Sequence, residues 1–416
     1  MNILNWINAY RNALDTTVDQ VNLSDLTDWH YEDGEIKRKD SAFFTVVGIK
    51  SDDYPLEENE LPIINQPEIG ILGFLINHGD DGARILLHAK SEPGDVGITQ
   101  IGPSVQATES NYKVKHGGKS TNYLNFFLDD KHPKPVNIKQ SEQGTRFLNK
   151  YNLNAIIEIQ EDEIEISNKK YKWFGLNDVI SELNTDYLFN TDFRSVISHL
   201  LEKRILEKEK RTPLLNSYFS NTENDVENII NSIEEKRGKL QFDIKQVPLD
   251  ELNNWDMNDT GIVPKKKNSF GFGYFNISMI DREVKKWGQP LVTKTSEENI
   301  VLLASKTNDE YHFIFKERME LGFKNYMQLG PTFQVEGELD LPENEILAEW
   351  KQSEEGGRFF QNISKYKICL TNQIDFYKQS DEYYILNVFE ICSLLKTQGI
   401  FTNEARSAIS GLLPLL

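Results

Sequence analysis

Gln140-Ser-Glu-Gln-Gly-Thr-Arg-Phe147 returns later in the chain as Gln352-Ser-Glu-Glu-Gly-Gly-Arg-Phe359. A second stretch behaves the same way: Leu188-Phe-Asn-Thr-Asp-Phe-Arg-Ser195 returns as Ile400-Phe-Thr-Asn-Glu-Ala-Arg-Ser407. Both pairs lie 212 residues apart (140 to 352, 194 to 406), and two matches at one spacing are hard to obtain by chance. Upstream, Ile101-Gly-Pro-Ser-Val-Gln106 returns as Leu329-Gly-Pro-Thr-Phe-Gln334 at a spacing of 228, so the first copy holds 16 more residues before its QSE motif. Further back, Gln66-Pro67 is matched with Gln289-Pro290 at a spacing of 223. The motif order is the same in both halves and the unit is domain-sized. The pattern therefore reads as a tandem duplication rather than a solenoid.

The local signals fit an α+β unit with a mixed sheet in each half. Residues 42–50, 69–77 and 84–90 are rich in β-branched and aromatic side chains and read as strands, as do 155–159 and 366–370 after the QSE motifs. Residues 193–201 and 405–413 read as helices, each preceded by Asn, Thr, Asp or Glu that can cap it. Residues 202–239 are charged and largely helical with a break at Pro213. The boundary is placed there: a first repeat at 1–205, a helical linker at 206–240 and a second repeat at 241–416.

Composition narrows the function classes. The 416 residues carry a net charge of −19, which argues against a general nucleic-acid or membrane-surface binder. A small anionic ligand held by a few local cations remains compatible with that charge. Cys369 and Cys392 are too few for a disulfide framework or a cysteine-rich zinc site and read as reduced core thiols. The N-terminus places Ile3, Leu4, Trp6, Ile7, Tyr10 and Leu14 on a helical stripe, without the basic start and apolar run of a signal peptide. No run of about 18 apolar residues is present, so no membrane span is expected and the cytoplasm is the default compartment.

The common cofactor signatures are missing. Gly271-Phe-Gly273 lacks the third glycine of a dinucleotide fingerprint, and there is no phosphate-binding Walker loop, no zinc-binding helix motif and no nucleophile elbow. No metal and no cofactor are therefore expected. The informative stretch is 90–127, KSEPGDVGITQIGPSVQATESNYKVKHGGKSTNYLNFF. Pro93-Gly94 and His116-Gly117-Gly118 are turn residues, and between them lie Gln, Asn, Tyr, Lys and His with little apolar periodicity. Such a segment is either an ordinary surface excursion or a ligand-site loop, and long polar loops in compact domains are more often the latter. The Glu and Arg of each QSE motif stand four residues apart, which on a helix would make a salt bridge. Arg194 and Arg406 occur in both halves, which favours a role in the fold.

The run GITQIGPSVQATESNYKVKHGGKSTNYLNFF resembles the signature of the NDP-hexose 2,3-dehydratases of deoxysugar biosynthesis. AKSEPG before it, QSEQG and NTDFRSV after it, and REVKKWGQPL, LGPTFQ and QSEEGGRFF in the second half belong to the same pattern. The resemblance covers nearly the whole chain. It implies two Nudix-like domains from a duplication, assembled as a homodimer. A full Nudix box is absent, so metal-dependent pyrophosphate hydrolysis is not expected. The second copy of AKSEPG is read as eroded to Phe315-Lys-Glu-Arg-Met-Glu320, which leaves the first half as the active one.

The implied substrate is a nucleotide-linked 4-keto-6-deoxyhexose, dTDP-4-keto-6-deoxy-D-glucose in the commonest form. Its 4-ketone acidifies the hydrogen on carbon 3. Removal of that proton lets the enolate expel the carbon-2 hydroxyl, and tautomerisation gives a 3,4-diketo-2,6-dideoxy sugar. The chemistry needs a proton-transfer group, a donor to the enolate oxygen and cations for the diphosphate. His116 is assigned to proton transfer because only imidazole titrates near neutral pH unperturbed. Tyr112 is assigned as donor, and Lys115 as a charge neutraliser. Lys90, Gln106, Asn111, Gly117, Gly118 and Glu142 are assigned to substrate binding. The partners expected are the sugar nucleotide, a second copy of the chain and a downstream 3-ketoreductase or aminotransferase. The runner-up is a non-catalytic sugar-nucleotide-binding protein of the same fold.

Overall fold

The structure is a computed structural model. It describes the chain apart from residues 12–14, 41–42, 80–81, 110–120, 167, 221–222, 267–268, 281, 283, 295 and 341–344. The fold is mixed α+β. In the N-terminal half a seven-stranded mixed sheet runs Val136–Ser141, Tyr151–Glu158, Gly70–Gly79, Gly82–Ser91, Tyr171–Gly175, with Thr99–Gly102 on the fourth of these strands and Val105–Ala107 on the third. In the C-terminal half a second seven-stranded sheet runs Ile346–Ser353, Ile363–Leu370, Glu298–Thr307, Glu310–Met319, Tyr383–Leu386, with Met327–Gly330 and Phe333–Glu336 attached in the same places. In each sheet one central pair is parallel, Tyr151–Glu158 with Gly70–Gly79 and Ile363–Leu370 with Glu298–Thr307.

Registers fix which residues correspond. Parallel bridges join Ile64 to Phe147 and Val292 to Phe359, Ile101 to Phe189 and Leu329 to Phe401. These give spacings of 228 and 212 independently of the motifs. They correct two pairings made from sequence. Pro62 opposes Gly48 and Pro290 opposes Tyr274, so Pro290 corresponds to Pro62 and Gln66 corresponds to Lys294, not to Gln289. Lys90 opposes Gln100 and Arg318 opposes Gln328, so AKSEPG corresponds to Glu317–Gly322, two residues beyond the stretch assigned to it. Its Glu and Gly survive as Glu320 and Gly322. Ser, Pro and the following Asp95 become Met319, Leu321 and Phe323.

Two smaller sheets show that neither half is self-contained. Trp29–Glu32, Glu35–Arg38, Thr45–Lys50 and Glu60–Asn65 are completed by Lys245–Val247 from the other half. Trp255–Asn258, Gly261–Pro264, Phe270–Met279 and Lys286–Lys294 are completed by Thr16–Val21. Each half thus lends its first strand to the other. The cores follow suit: Trp29, Phe44, Phe147, Trp255, Phe270 and Phe359 belong to one apolar cluster.

Helices Thr191–Ile197 and Asn403–Ser410 meet in the middle, capped by Asn190 and Thr402 through their side chains. Arg194 and Arg406 are buried there. Arg406 donates to the carbonyls of Phe401 and Ser141 at 2.6 Å each, and Arg194 to Leu183 O at 2.6 Å while lying over the Trp350 ring. Their role is structural, as their presence in both halves suggested. Ile3–Arg11 buries Ile3, Trp6 and Ile7, and Pro213 starts the helix Pro213–Phe219 from its first turn. Cys369 and Cys392 are buried and unpaired. Among the described residues no helix is long and apolar enough to cross a membrane.

Candidate active site

The two halves hold each other through matching turns. The amide of Gly94 donates to Gly356 O at 2.8 Å and Gln361 N to Gly94 O at 2.8 Å; Gly322 N donates to Gly144 O at 2.7 Å and Asn149 N to Gly322 O at 2.7 Å. A side chain on Gly94 would collide with Phe359 O, and one on Gly322 with the carbonyls of Gly144 and Phe147. The QSE motif of one half therefore closes over the strand end of the other. Between them runs a crevice lined by four corresponding pairs: Glu142 and Glu354, Gln143 and Glu355, Phe147 and Phe359, Thr191 and Asn403.

The sequence candidates distribute unevenly around this crevice. Lys90 is buried and pairs with Glu92 at 3.0 Å; Glu92 also takes Arg282 from the other half at 2.7 Å. Burial works to raise the Glu92 carboxyl, but Arg282, Lys90 and Arg358 outweigh it and hold it below its usual range. Gln106 accepts from the Asn190 cap at 3.2 Å. Lys90, Gln106 and Asn190 share the space above Gly102, so the structure brings Lys90 and Gln106 together. Glu142 is not with them. It lies in the crevice, accepting from Asn152 at 2.7 Å and Asn403 at 2.9 Å. Burial and the nearby Glu355 push its carboxyl up to about 7. The motif is a turn and not a helix, so the anticipated Glu142–Arg146 salt bridge does not form; Arg146 instead reaches Glu336 at 3.1 Å.

Asn111, Tyr112, Lys115, His116, Gly117 and Gly118 lie outside the described residues. The described chain before them ends its strand at Ala107 and resumes ahead of Tyr123. The Tyr123 ring stands edge-on to Tyr171 at 4.9 Å, and Tyr171 stacks on His88 at 4.3 Å. Burial, helped by Lys90, Lys170 and Arg282, drives the His88 pKa well down, so its imidazole is neutral.

Corresponding positions differ in a consistent direction. The C-terminal half carries Lys294, Glu298 and Glu336 where the N-terminal half has Gln66, Gly70 and Thr108. Lys294 bridges Glu298 at 2.9 Å and Glu336 at 3.2 Å, and Gln334 donates to Glu298 at 3.0 Å. These charges are paired with one another across that half. Burial opposes the Glu298 charge, yet Lys294 and Arg146 bring its pKa down to about 2. In the N-terminal half the matching arginine, Arg358, has only the Gln66 side-chain oxygen at 3.2–3.3 Å, its neighbour's carbonyl and the Phe44 ring, and no carboxylate ion pair among the described residues. With Lys90, Lys150 and Arg282 it places four basic side chains around Glu92 and Glu355. Among the described residues no His, Cys, Asp and Glu grouping fits a metal ion.

The profile of the NDP-hexose 2,3-dehydratase family matches residues 1–200 and 226–412. The chain belongs to that family. Among proteins it is similar to, a dTDP-4-dehydro-6-deoxy-alpha-D-glucopyranose 2,3-dehydratase of Saccharopolyspora spinosa is 28% identical over 93% of this chain and 86% of that one. Proteins of the same name from Amycolatopsis orientalis and Streptomyces violaceoruber are 29% identical (87% of this chain, 80% of theirs) and 27% identical (83% and 82%). Glu92, Lys150, Glu355 and Arg358 were not singled out from the sequence of this family member. The signal for the last two was present in the second QSE motif, but it was assigned to the half in which it is encoded, whereas it acts on the other.

Proposed function

We propose that this chain is a carbon–oxygen lyase, a 2,3-dehydratase of dTDP-4-keto-6-deoxy-D-glucose that yields the 3,4-diketo-2,6-dideoxy sugar nucleotide. The observation that carries the reading is the likeness, along most of the chain, to three proteins named for that reaction. The N-terminal half is the active one. Its Arg358, which makes no carboxylate ion pair among the described residues, together with Lys90 suits a diphosphate, and Gln106 and Asn111 orient the sugar or base. Tyr112, Lys115 and His116 border the reacting carbons, with His116 or Tyr112 protonating the departing hydroxyl; Gly117 and Gly118 let that segment turn. Glu142 supports the site from the crevice. The reading includes a tandem duplication of Nudix-like units at 1–205 and 241–416, a homodimer and the cytoplasm. It also includes a reductase or aminotransferase that captures the product. The identical strand order of the two large sheets supports the duplication.

The 3-ketone of the product makes the nucleotide on carbon 1 a leaving group. Incubation of the protein with dTDP-4-keto-6-deoxy-D-glucose, without metal or partner enzyme, is expected to release thymidine diphosphate. His116→Asn and Tyr112→Phe are each expected to slow release by about 10²-fold or more. Release of thymidine monophosphate, or a strict need for magnesium, would point to a hydrolase instead.

A further inference from the structure

The two copies of the turn that opened the sequence differ at two positions: Gln143 corresponds to Glu355, and Thr145 to Gly357. Because each turn closes over the opposite half, both differences fall at the N-terminal site although the residues are encoded in the C-terminal half. At the C-terminal site, Gln143 is used up by donating to Glu354 at 2.6 Å, and Thr145 donates its amide to Glu320 at 3.0 Å. At the N-terminal site the Glu355 carboxylate is half-buried and makes no hydrogen bond or ion pair among the described residues. The ends of two carboxylates close over Gly357: a Cβ there would lie 3.3 Å from Glu355 Oε1 and 3.5 Å from Glu92 Oε2. Asp95 packs over Gly356 with both carboxyl oxygens buried and without a hydrogen-bond partner, at the place Phe323 fills in the other half.

Two other acids of the crevice do not share this status. Glu142 and Glu354 correspond, and each is anchored at both oxygens: Glu142 by Asn152 and Asn403, Glu354 by Ser364 and Gln143. Asp192 and Glu404 correspond in the same way, at the starts of the two central helices. Acids present in both halves belong to the scaffold. Among the residues lining the crevice, Glu355 is the one acid whose counterpart, Gln143, is neutral; its side chain makes no hydrogen bond among the described residues, and Arg358, Glu92, Lys150 and Lys90 act on it electrostatically. Burial raises its pKa, Arg358 counteracting and Glu92 reinforcing that shift, which makes its carboxylate a better base.

We propose that Glu355 is the base that removes the carbon-3 proton of the sugar at the N-terminal site, an assignment that rests on the dehydratase reading above. The carbon-3–hydrogen bond breaks and the proton passes to the Glu355 carboxylate. The electron pair enters the enolate of the 4-ketone. It then returns to form the carbon-2–carbon-3 double bond as the carbon-2–oxygen bond breaks. The departing hydroxyl takes a proton from a general acid and leaves as water. The enol at carbon 3 tautomerises to the ketone, carbon 2 gaining a proton and the enol oxygen losing one. No oxidant or reductant enters.

Glu355→Gln tests this, and it installs the residue that the corresponding position already carries. Turnover is expected to fall about 10²- to 10⁴-fold, and release of deuterium from carbon-3-labelled substrate is expected to fall with it. Thymidine diphosphate affinity by calorimetry and the thermal midpoint are expected to stay at wild-type values. Glu355→Ala is expected to regain turnover with added formate, a rescue that a purely structural carboxylate does not give. Wild-type turnover in E355Q overturns the assignment, as does lost turnover with label release intact. Should E355Q unfold, Glu355→Asp decides: slowed label release with a displaced acid limb in the kcat/KM profile supports the base, and an unchanged profile overturns it. The groups facing Glu355 in that titration are Arg358, Glu92, Lys150 and Lys90. If wild-type protein itself neither loses label nor releases thymidine diphosphate, the dehydratase reading fails and this assignment falls with it.

Discussion

Arg146 and Arg358 stand at the same place in the two QSE turns, each over an aromatic ring, Phe270 and Phe44. Their difference is the company they keep: Arg146 has Glu336, and Arg358 has only neutral oxygens. A guanidinium held in place by packing and left without a counter-charge is suited to an incoming phosphate, and a charge-assisted hydrogen bond contributes about 1.5–3 kcal/mol. Arg358→Gln is therefore expected to raise KM for the sugar nucleotide about tenfold or more with little loss in kcat. Arg146→Gln is expected to leave KM unchanged. Steady-state kinetics on both variants separates them; equal effects would remove the distinction between the sites. At this scale the sequence was partly legible. Lys90 and Gln106 lie in one polar segment of sequence, and the structure places them side by side above Gly102. Glu355 and Arg358 were passed over because nothing local tells a reader that a turn serves the opposite half.

At the scale of elements, the turns are fixed by backbone approach. Gly94 meets the Phe359 carbonyl with no room for a methyl group, whereas a methyl group on Gly357 would meet the movable side-chain ends of Glu355 and Glu92. Gly94→Ala is expected to cost about 1–3 kcal/mol or more, seen as a thermal midpoint lowered by several degrees. Gly357→Ala is expected to melt like the wild type yet lose turnover, since its methyl enters the space between Glu355 and Glu92. Equal melts for the two variants would contradict this reading of the turn. Strand and helix existence was legible: 69–77 overlaps Gly70–Gly79 in all but its first residue, 84–90 lies within Gly82–Ser91, and the capped segments became Thr191–Ile197 and Asn403–Ser410. Correspondence was less so. Glutamine–proline dipeptides at 66 and 289 look alike as letters, but hydrogen-bond register decides what is equivalent, and register is a property of paired strands rather than of one.

At the scale of the molecule, the centre is rich in buried acids. Burial lifts Glu320 to about 8, with Glu404 adding to it, and Glu354 to about 7, with Glu298 adding to it. In the unfolded chain a glutamate titrates near its ordinary value of 4.5. Below that value both states hold the proton and the contribution of these groups to stability is complete. As pH rises, the unfolded chain releases the proton first, so stability declines until the folded group ionises as well. For Glu354 the window runs from about 4.5 to about 7, and the loss is on the order of 3 kcal/mol. Thermal midpoints are expected to fall between pH 5 and 8, and Glu354→Gln is expected to flatten that slope. A midpoint that rises over this range would reverse the sign. The two spacings read from the letters, 228 and 212, reappear between bridges of the strands. The mutual loan of strands was not legible, because Thr16–Val21 and Lys245–Val247 are short and share no motif.

That loan has a consequence for synthesis on the ribosome. Thr16–Val21 emerges almost at once, but its place is beside Phe270–Met279. At about 5–20 residues per second the early strand waits for roughly 10–50 seconds with an unpaired edge. The sheet of the leading half is likewise unfinished until Lys245–Val247 has been made. A transcript broken midway therefore yields no half-sized folded product, only chain for the cell's proteases to clear.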